Sequence, residues 1–492
     1  MPERINRKEF MKKTAAAAAA MCLPRFGLSA TRTGEKRNVL FIVSDDLNDW
    51  VGCLGGHPDT KTPNIDALAA RGVCFERSYC ASPLCNPSRA ALMTGLRPGT
   101  TGVYGNRQPF RMSDVGKNAI TLPQHFKTNG YFATGANKIY HGAFPDPISW
   151  DTYYPSLEKQ TTGDPRPTQN LGVPGTNLAW GPLDVPDEKM GDVEAVEYCI
   201  GQLKNKHDKP FFLGCGIRKP HLPWYVPAKY FKMFDPKKVT LPKVKEDDLD
   251  DVPPIAKRWA NPKENEKVQQ AGKWAEAVAA YLSTIAFVDA TVGRVIAALD
   301  ASDYAKNTIV VFWGDHGWHL AEKLHWHKST LWEEATRAPL LFVVPGVTQP
   351  ESRCPRTVDF MDVYPTLVEL CGLPARQEVE GKSLVSLLKD PRTPWDRPAV
   401  TTFQFGNHSV RSERWRYTRY VDKTEELYDH DHDPLEWTNR ANDSKSADVK
   451  RDLARWIPQT DHPSSKSVVL PGDKQKKKAK KVNRRGEPID AE

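Results

Sequence analysis

No Cys-x-x-Cys pair occurs among the nine cysteines of this chain, and no internal repeat runs along its 492 residues. The first absence argues against the usual zinc-binding cysteine patterns. The second excludes solenoids and other repeat arrays. The body of the chain also lacks net charge. The whole sequence carries 69 Lys and Arg against 61 Asp and Glu, a formal +8. Residues 1–30 hold six bases and two acids, a net +4, and residues 474–492 hold eight bases and three acids, a net +5. The remaining segment, 31–473, is close to neutral at −1. Nothing here indicates a basic face, so nucleic acid is not expected as a partner. Long apolar runs are scarce too. Residues 14–23 form an apolar stretch of ten, too short to span a bilayer as a helix. No integral membrane segment is expected elsewhere.

The length is ample for a substantial core without disulfide staples. A hydrophobic share of 39%, with 40 Pro and 32 Gly, excludes collagen, coiled coil and wholesale disorder and describes a loop-rich globular protein. Residues 1–30 read as an export signal: a basic start, the apolar stretch, then Leu28-Ser29-Ala30. A periplasmic or extracellular location follows as an expectation. Arg7-Lys8-Glu9-Phe10-Met11-Lys12 resembles a twin-arginine export motif with Lys8 in place of the second Arg. Residues 471–492 form a basic, low-complexity tail, expected to be disordered and solvated.

Between these ends one grammar recurs: a short apolar run, a polar cluster, a helical pattern. Asn38-Val39-Leu40-Phe41-Ile42-Val43 precedes Asp45-Asp46. Tyr131-Phe132-Ala133-Thr134 precedes Lys138 and His141, Pro210-Phe211-Phe212-Leu213 precedes His221, and Thr308-Ile309-Val310-Val311-Phe312-Trp313 precedes Asp315-His316. Residues 275–299 carry a helical apolar pattern. The alternation predicts an α/β fold with a large, mostly parallel sheet flanked by helices. Ligands then bind beyond the carboxyl ends of the strands, where the acids, lysines and histidines fall. After about residue 375 the pattern changes, and Trp415-Arg416-Tyr417-Thr418-Arg419-Tyr420 alternates like a half-exposed strand. A smaller C-terminal α+β subdomain is expected over 391–470, with a hinge at the proline-rich 391–398.

Two pairs at strand ends, Asp45-Asp46 and Asp315-His316, carry the first chemical signal. Adjacent buried carboxylates repel and call for a cation. Oxygen ligands favour Ca²⁺ or Mg²⁺ over zinc. Asp45, Asp46, Asp315 and His316 are therefore metal-ligand candidates; a turn or helix cap is the bland alternative for either pair alone. The second signal is Cys85-Asn86-Pro87-Ser88-Arg89-Ala90-Ala91-Leu92-Met93-Thr94-Gly95. Pro87 suits a first helical turn, which places Cys85 just before the helix start, where free N–H groups favour an anion. A buried structural cysteine beside a helix cap fits the local sequence equally well. On the residues alone, His141 and His221 also read as loop histidines and Lys138 and Lys328 as surface lysines. His319, His325 and His327 lie close to Lys328.

Cys-x-Pro-Ser-Arg followed by Ala-Ala-Leu-Met-Thr-Gly resembles the signature of the type I, formylglycine-dependent sulfatases. Thr62-Pro63-Asn64-Ile65-Asp66, Gly314-Asp315-His316-Gly317, Ala338-Pro339-Leu340 and Glu426-Leu427-Tyr428-Asp429 extend the match in order over roughly 37–440. Lys219-Pro220-His221-Leu222-Pro223 and Gly314-Asp315-His316-Gly317-Trp318-His319-Leu320 resemble the iduronate-2-sulfatase branch most. After Leu320 the chain departs from the family's Gly-Glu-His and has Ala321-Glu322-Lys323.

The resemblance implies an alkaline-phosphatase-like fold, a catalytic domain over 37–390 and hydrolysis of a sulfate ester on a sugar or glycan. It implies Cα-formylglycine made from Cys85 by a maturation enzyme, and Ca²⁺ held by Asp45, Asp46, Cys85, Asp315 and His316. Arg89 would stabilise the formylglycine hydrate, Lys138 and His141 would flank it, Lys328 would hold the sulfate, and His221 would serve the leaving group. A phosphate or phosphonate monoester hydrolase on the same fold, and a catalytically silent glycan-binding protein, are the competing expectations.

Overall fold

Strands that are apolar at consecutive positions have to bury both faces. The computed structural model describes residues 36–158, 162–459 and 461–469; the expected export signal and basic tail lie outside them. In chain order the strands are β1 (Asn38–Asp45), β2 (Val73–Tyr79), β3 (Phe132–Ala136), β4 (Thr152–Tyr154), β5 (Trp180–Leu183), β6 (Phe211–Pro220), β7 (Trp224–Pro227), β8 (Thr308–Gly314), β9 (His319–Leu320), β10 (Trp326–His327), β11 (Leu340–Val343), β12 (Ser352–Asp359), β13 (Ala399–Thr402), β14 (His408–Arg411), β15 (Trp415–Arg419) and β16 (Glu425–Asp429). Eight form one sheet in the order β12-β2-β11-β8-β1-β6-β3-β4. Only β11 runs antiparallel to its neighbours β2 and β8; every other pairing in the sheet is parallel.

Successive side chains of a strand point to opposite faces, and the two cores divide accordingly. Leu40 and Ile42 of β1, with Val310 and Phe312 of β8, pack on one face with the long helix Trp274–Asp300. Val39, Phe41, Val43, Ile309, Val311 and Trp313 pack on the other. There they meet Leu92 and Met93 of helix Cys85–Thr94 and Val363 and Leu367 of helix Val363–Leu370.

The Trp274–Asp300 helix is an apolar run that the sequence pattern understated. It is long and apolar enough, by length and composition, to cross a membrane, yet most of it is buried inside the protein. It packs on β6 and on helices Gly191–Lys204 and Pro63–Ala69. A helix covered on several sides is apolar all round for that reason.

The four C-terminal strands form an antiparallel sheet in chain order. One of its buried cations, Arg416, bonds the carboxylates of Glu333 and Glu436 and donates to the Leu331 carbonyl at 3.1 Å. The Trp332 indole donates to Glu426 at 2.8 Å. Lys323, where the chain departs from the family pattern, is buried and bonds Asp248 at 2.7 Å. Its ammonium also stands over the Tyr428 ring, 5.0 Å from the centroid. The ribbon β9–β10 and the loop after it, which carries Lys328, are thus gripped from the C-terminal side. Residues 391–398 lie against β12, with the Trp395 indole donating to Thr357 at 2.9 Å and Arg356 donating to the Thr393 carbonyl at 3.1 Å.

Removing one member of a buried ion network leaves its partners charged and unpaired. Arg416→Ala is expected to lower stability by about 3–5 kcal/mol, read as a shift in the urea unfolding midpoint; an unchanged midpoint contradicts this account of the C-terminal sheet.

Candidate active site

The site forms where β1, β6 and β8 end side by side at their carboxyl ends. β1 terminates at Asp45, and Asp46 takes a left-handed conformation, φ 63°, which Asp tolerates better than most residues. The Asp46 N–H donates to Asp315 Oδ1 at 2.9 Å, and the Asp315 N–H donates to the Ser44 carbonyl at 3.1 Å. The two strand ends are therefore laced together. Gly314 permits the approach: a Cβ there would lie 2.6 Å from the Leu47 carbonyl oxygen. From the long helix, the Tyr281 hydroxyl donates to the Asp46 carbonyl at 2.8 Å and accepts from the Asn48 N–H at 3.1 Å.

Helix Cys85–Thr94 includes Cys85 as its first residue, one position earlier than expected. Leu84 is extended and its carbonyl accepts from the Ser88 N–H at 3.0 Å, which makes Leu84 the cap. Arg89, one turn on, is fully buried. Its guanidinium donates to Asp315 Oδ2 at 2.8 Å, to Asp45 Oδ1 at 3.1 Å and to the carbonyls of Lys138 and Ile139. Four of its five N–H donors are thereby committed to tying the acids to the Lys138 segment. Ser88 Oγ adds a bond to the Asp315 carbonyl at 2.5 Å.

The structure brings Asp45, Asp46, Cys85, Arg89, Lys138, His221, Asp315, His316 and Lys328 together, with His141 within electrostatic reach of Lys138 and Asp45. Lys138 bonds Asp45, and Lys328 bonds Asp46. Cys85 Sγ lies 3.1 Å from Lys328 Nζ, 3.3 Å from His316 Nε2 and 3.8 Å from Asp46 Oδ1. His221 Nε2 is 3.9 Å from Asp46 Oδ2. Burial opposes the charge on Asp45, but Lys138 and Arg89 override it and hold the carboxyl well below its usual range. Burial also opposes the Lys328 ammonium, and Asp46 more than offsets it, so Lys328 stays charged. Burial pushes the Cys85 thiol up to about 12; as a thiol it is a poor nucleophile at neutral pH. His141 and His221 are both pushed down to about 3, chiefly by burial, so both imidazoles are neutral.

The donor set fits a hard divalent cation. Asp45, Cys85, Asp315 and His316 offer ligand atoms within 4.8 Å of one another, as do Asp45, Asp46, Cys85 and His221. Asp46 Oδ2 is buried without a hydrogen-bond partner. Three buried carboxylates, one with an unused oxygen, are suited to oxygen-seeking metals.

The neighbouring histidines divide. His319 and His325 are buried and fully paired, His319 with Thr330 at 2.9 Å and His325 with the Lys328 carbonyl at 2.8 Å. They support the loop. His327 faces Glu264 at 2.9 Å.

Asp192 escaped the sequence reading. This buried carboxylate accepts from Asn137 Nδ2 at 2.7 Å, from the Arg218 N–H at 2.8 Å and from the Lys219 N–H at 2.9 Å. It thereby fixes the segments that present Lys138 and His221. Gly216 completes the junction, since a Cβ there would lie 2.6 Å from the Lys138 backbone. The one signal for Asp192 is an acid in the first turn of helix Gly191–Lys204, which reads as an ordinary complement to the helix dipole.

A family model described as Sulfatase matches residues 37–373. The chain belongs to the sulfatase family. A second model, described as N-sulphoglucosamine sulphohydrolase, C-terminal, matches residues 314–462. A sulfatase of Formosa agariphila is 39% identical over 442 residues, 87% of each chain. Human iduronate 2-sulfatase is 30% identical over 527 residues, covering 85% of this chain and 94% of its own. Among solved structures, a phosphonate monoester hydrolase from Silicibacter pomeroyi superposes with a TM-score of 0.71 at 23% identity, over 85% of this chain and 94% of that one. A protein solved in complex with its substrate D-glucosamine-2-N,6-O-disulfate superposes with a TM-score of 0.69 at 20% identity, over 86% and 96%. The fold is the alkaline-phosphatase-like one, and the enzyme is a sulfuric ester hydrolase.

For this sulfatase, Asp192→Asn is expected to lower kcat/KM by about ten- to a hundred-fold, the range for groups that orient site residues from behind, in protein whose circular dichroism is unchanged. The same variant carries a pH signature. Burial, with Asp164 nearby, raises Asp192 from 3.8 to about 6. Its contribution to stability is therefore present in full below about pH 4 and lost as pH rises through about 6. Thermal melts across that window should slope less in the variant, and an identical slope contradicts the assignment.

Proposed function

We propose that this sulfatase removes sulfate from a sulfated saccharide, iduronate-2-sulfate-like in character, through Cα-formylglycine made from Cys85 and with a bound Ca²⁺. The observation that carries the reading is the setting of Cys85. Its thiol is buried and held protonated, yet it faces Lys328, His316 and Asp46. That is a poor place for a thiolate and a suitable one for an oxygen nucleophile. The similarity to human iduronate 2-sulfatase supports the saccharide. Residues 1–30 would direct export to the periplasm or beyond, and a maturation enzyme would supply the aldehyde at Cys85.

Asp45, Asp46, Asp315 and His316, with residue 85, would hold Ca²⁺, which supplies positive charge to the sulfate oxygens. As its hydrate, formylglycine supplies a gem-diol oxygen more acidic than a serine hydroxyl. The chain's own residues do the rest. Lys138 and Lys328 set two ammonium groups where negative charge gathers as the S–O bond breaks. Asp315, whose carboxyl burial raises above its usual range, accepts the nucleophile's proton. Arg89 keeps Asp45 and Asp315 in register. His221 Nδ1 bonds the Leu222 carbonyl, leaving Nε2 for the reaction. An entering sulfate anion favours the imidazolium form, and His221 then gives its proton to the leaving sugar oxygen. His141 Nδ1 is buried without a partner, which suits a base that takes the final proton as sulfate departs.

The phosphonate monoester hydrolase of the same fold keeps a second reading in view. One experiment separates them. The tryptic peptide 78–89 should carry formylglycine at position 85 and an unmodified Cys80, and the same protein should release sulfate from sulfated saccharides. An intact thiol at 85 in a protein that hydrolyses phosphonate esters would favour the second reading. Cys85→Ala should fold normally and lose turnover; full activity in that variant contradicts the mechanism.

A further inference from the structure

A cavity of about 790 Å³ reaches the residues next in sequence to Cys85 and Lys328. These are Leu84 and Ser329, which line it. The Ser329 N–H donates to the Pro83 carbonyl at 3.1 Å, which joins the two segments at the cavity's inner end. Asn86, on the other side of Cys85, braces the next wall, formed by residues 104–108, from behind. Its side chain donates to the Gly105 and Gln108 carbonyls at 2.8 and 2.7 Å and so holds the loop that presents Arg107. The opposite wall is the short helix Pro254–Trp259, ending in Arg258 and Trp259. Trp259 is set edge-on to Phe403, with centroids 4.9 Å apart, and Phe405 is 46% exposed beside Tyr104.

Charge distinguishes this cavity. Its lining contains Arg258 and no Asp or Glu. The Arg258 side chain is exposed and has no hydrogen-bond partner among the described residues; the acid that faces it, Asp422, bonds Thr424 instead. A cavity of about 490 Å³ elsewhere makes the contrast. Its arginines Arg337, Arg353 and Arg411 already bond Asp49, Glu76 and Glu333. An uncommitted guanidinium in a cavity that reaches the neighbours of Cys85 and Lys328 is suited to bidentate binding of a second acid group. Aromatic faces beside it suit the apolar faces of a sugar ring.

We propose that this cleft is the saccharide subsite beside the scissile ester, and that Arg258 selects sugars carrying a second anionic group, either a uronate carboxylate or a further sulfate ester. The proposal rests on the reading of the enzyme as a saccharide sulfatase.

The test compares wild type, Arg258→Ala and Arg258→Lys on three substrates: a neutral hexose monosulfate, the corresponding hexuronate monosulfate and a hexose disulfate. The wild type should prefer one or both acidic sugars in kcat/KM. In Arg258→Ala the ratio of acidic to neutral sugar should fall at least ten-fold, mostly through KM, with Arg258→Lys between the two. Whichever acidic sugar loses its preference identifies the group that Arg258 binds. A ratio that stays within two-fold for both acidic sugars overturns the proposal. Calorimetric binding of the same sugars to wild type and Arg258→Ala gives a readout that does not need turnover. If protein verified to carry formylglycine hydrolyses none of them, the saccharide sulfatase reading fails. Binding that is weakened at least ten-fold in the variant still supports the subsite, and equal binding overturns it.

Discussion

Asp45, Asp46 and Asp315 stand together without solvent, and their mutual repulsion has to be met by positive charge. The chain supplies it from three directions: Arg89 from the helix that begins at Cys85, Lys138 from the end of β3, and Lys328 from the loop after β10. Each cation is fixed by the acids it neutralises, and each acid is fixed by a cation. The arrangement leaves Asp46 Oδ2 without a hydrogen-bond partner, an oxygen free to serve as a metal ligand.

The rest of the fold reads as support for that cluster. Two apolar layers hold β1, β6 and β8 side by side, so that their ends meet. The C-terminal sheet sits on the loop that delivers Lys328, through Arg416, Glu333, Glu436 and the buried Lys323. Asp192 performs the same service for Lys138 and His221. Buried polar networks of this kind contribute modestly to net stability but strongly to uniqueness of geometry, which a site assembled from six separate segments requires.

Much of this was legible in the sequence, for a physical reason. β1, β6 and β8 are covered on both faces, so their apolar runs stand out, and reactive residues fall where the runs stop. The signature around Cys85 is local and is read from neighbours in the chain. Other parts were hidden. β11 is four residues long and antiparallel, so it carries no βαβ pattern. The Trp274–Asp300 helix looks like a membrane span by composition because its covering comes from elements distant in sequence. Asp192, Arg258 and Lys323 each look like surface charges, and only tertiary placement distinguishes the two that are buried from the one that stands at the cleft. The register of the Cys85 helix was off by one, because an extended Leu84 serves as cap with no side-chain bond to announce it.

The central claim is that the carboxylate cluster is completed by a divalent cation. Elemental analysis and calcium titration of the purified protein, beside Asp46→Asn, test it most directly. The account predicts one tightly held divalent ion per chain in the wild type, with chelation lowering both the melting temperature and sulfate release, and at least a ten-fold loss of affinity in the variant. A metal-free protein that melts at the same temperature with and without Ca²⁺ and releases sulfate at an undiminished rate would contradict it.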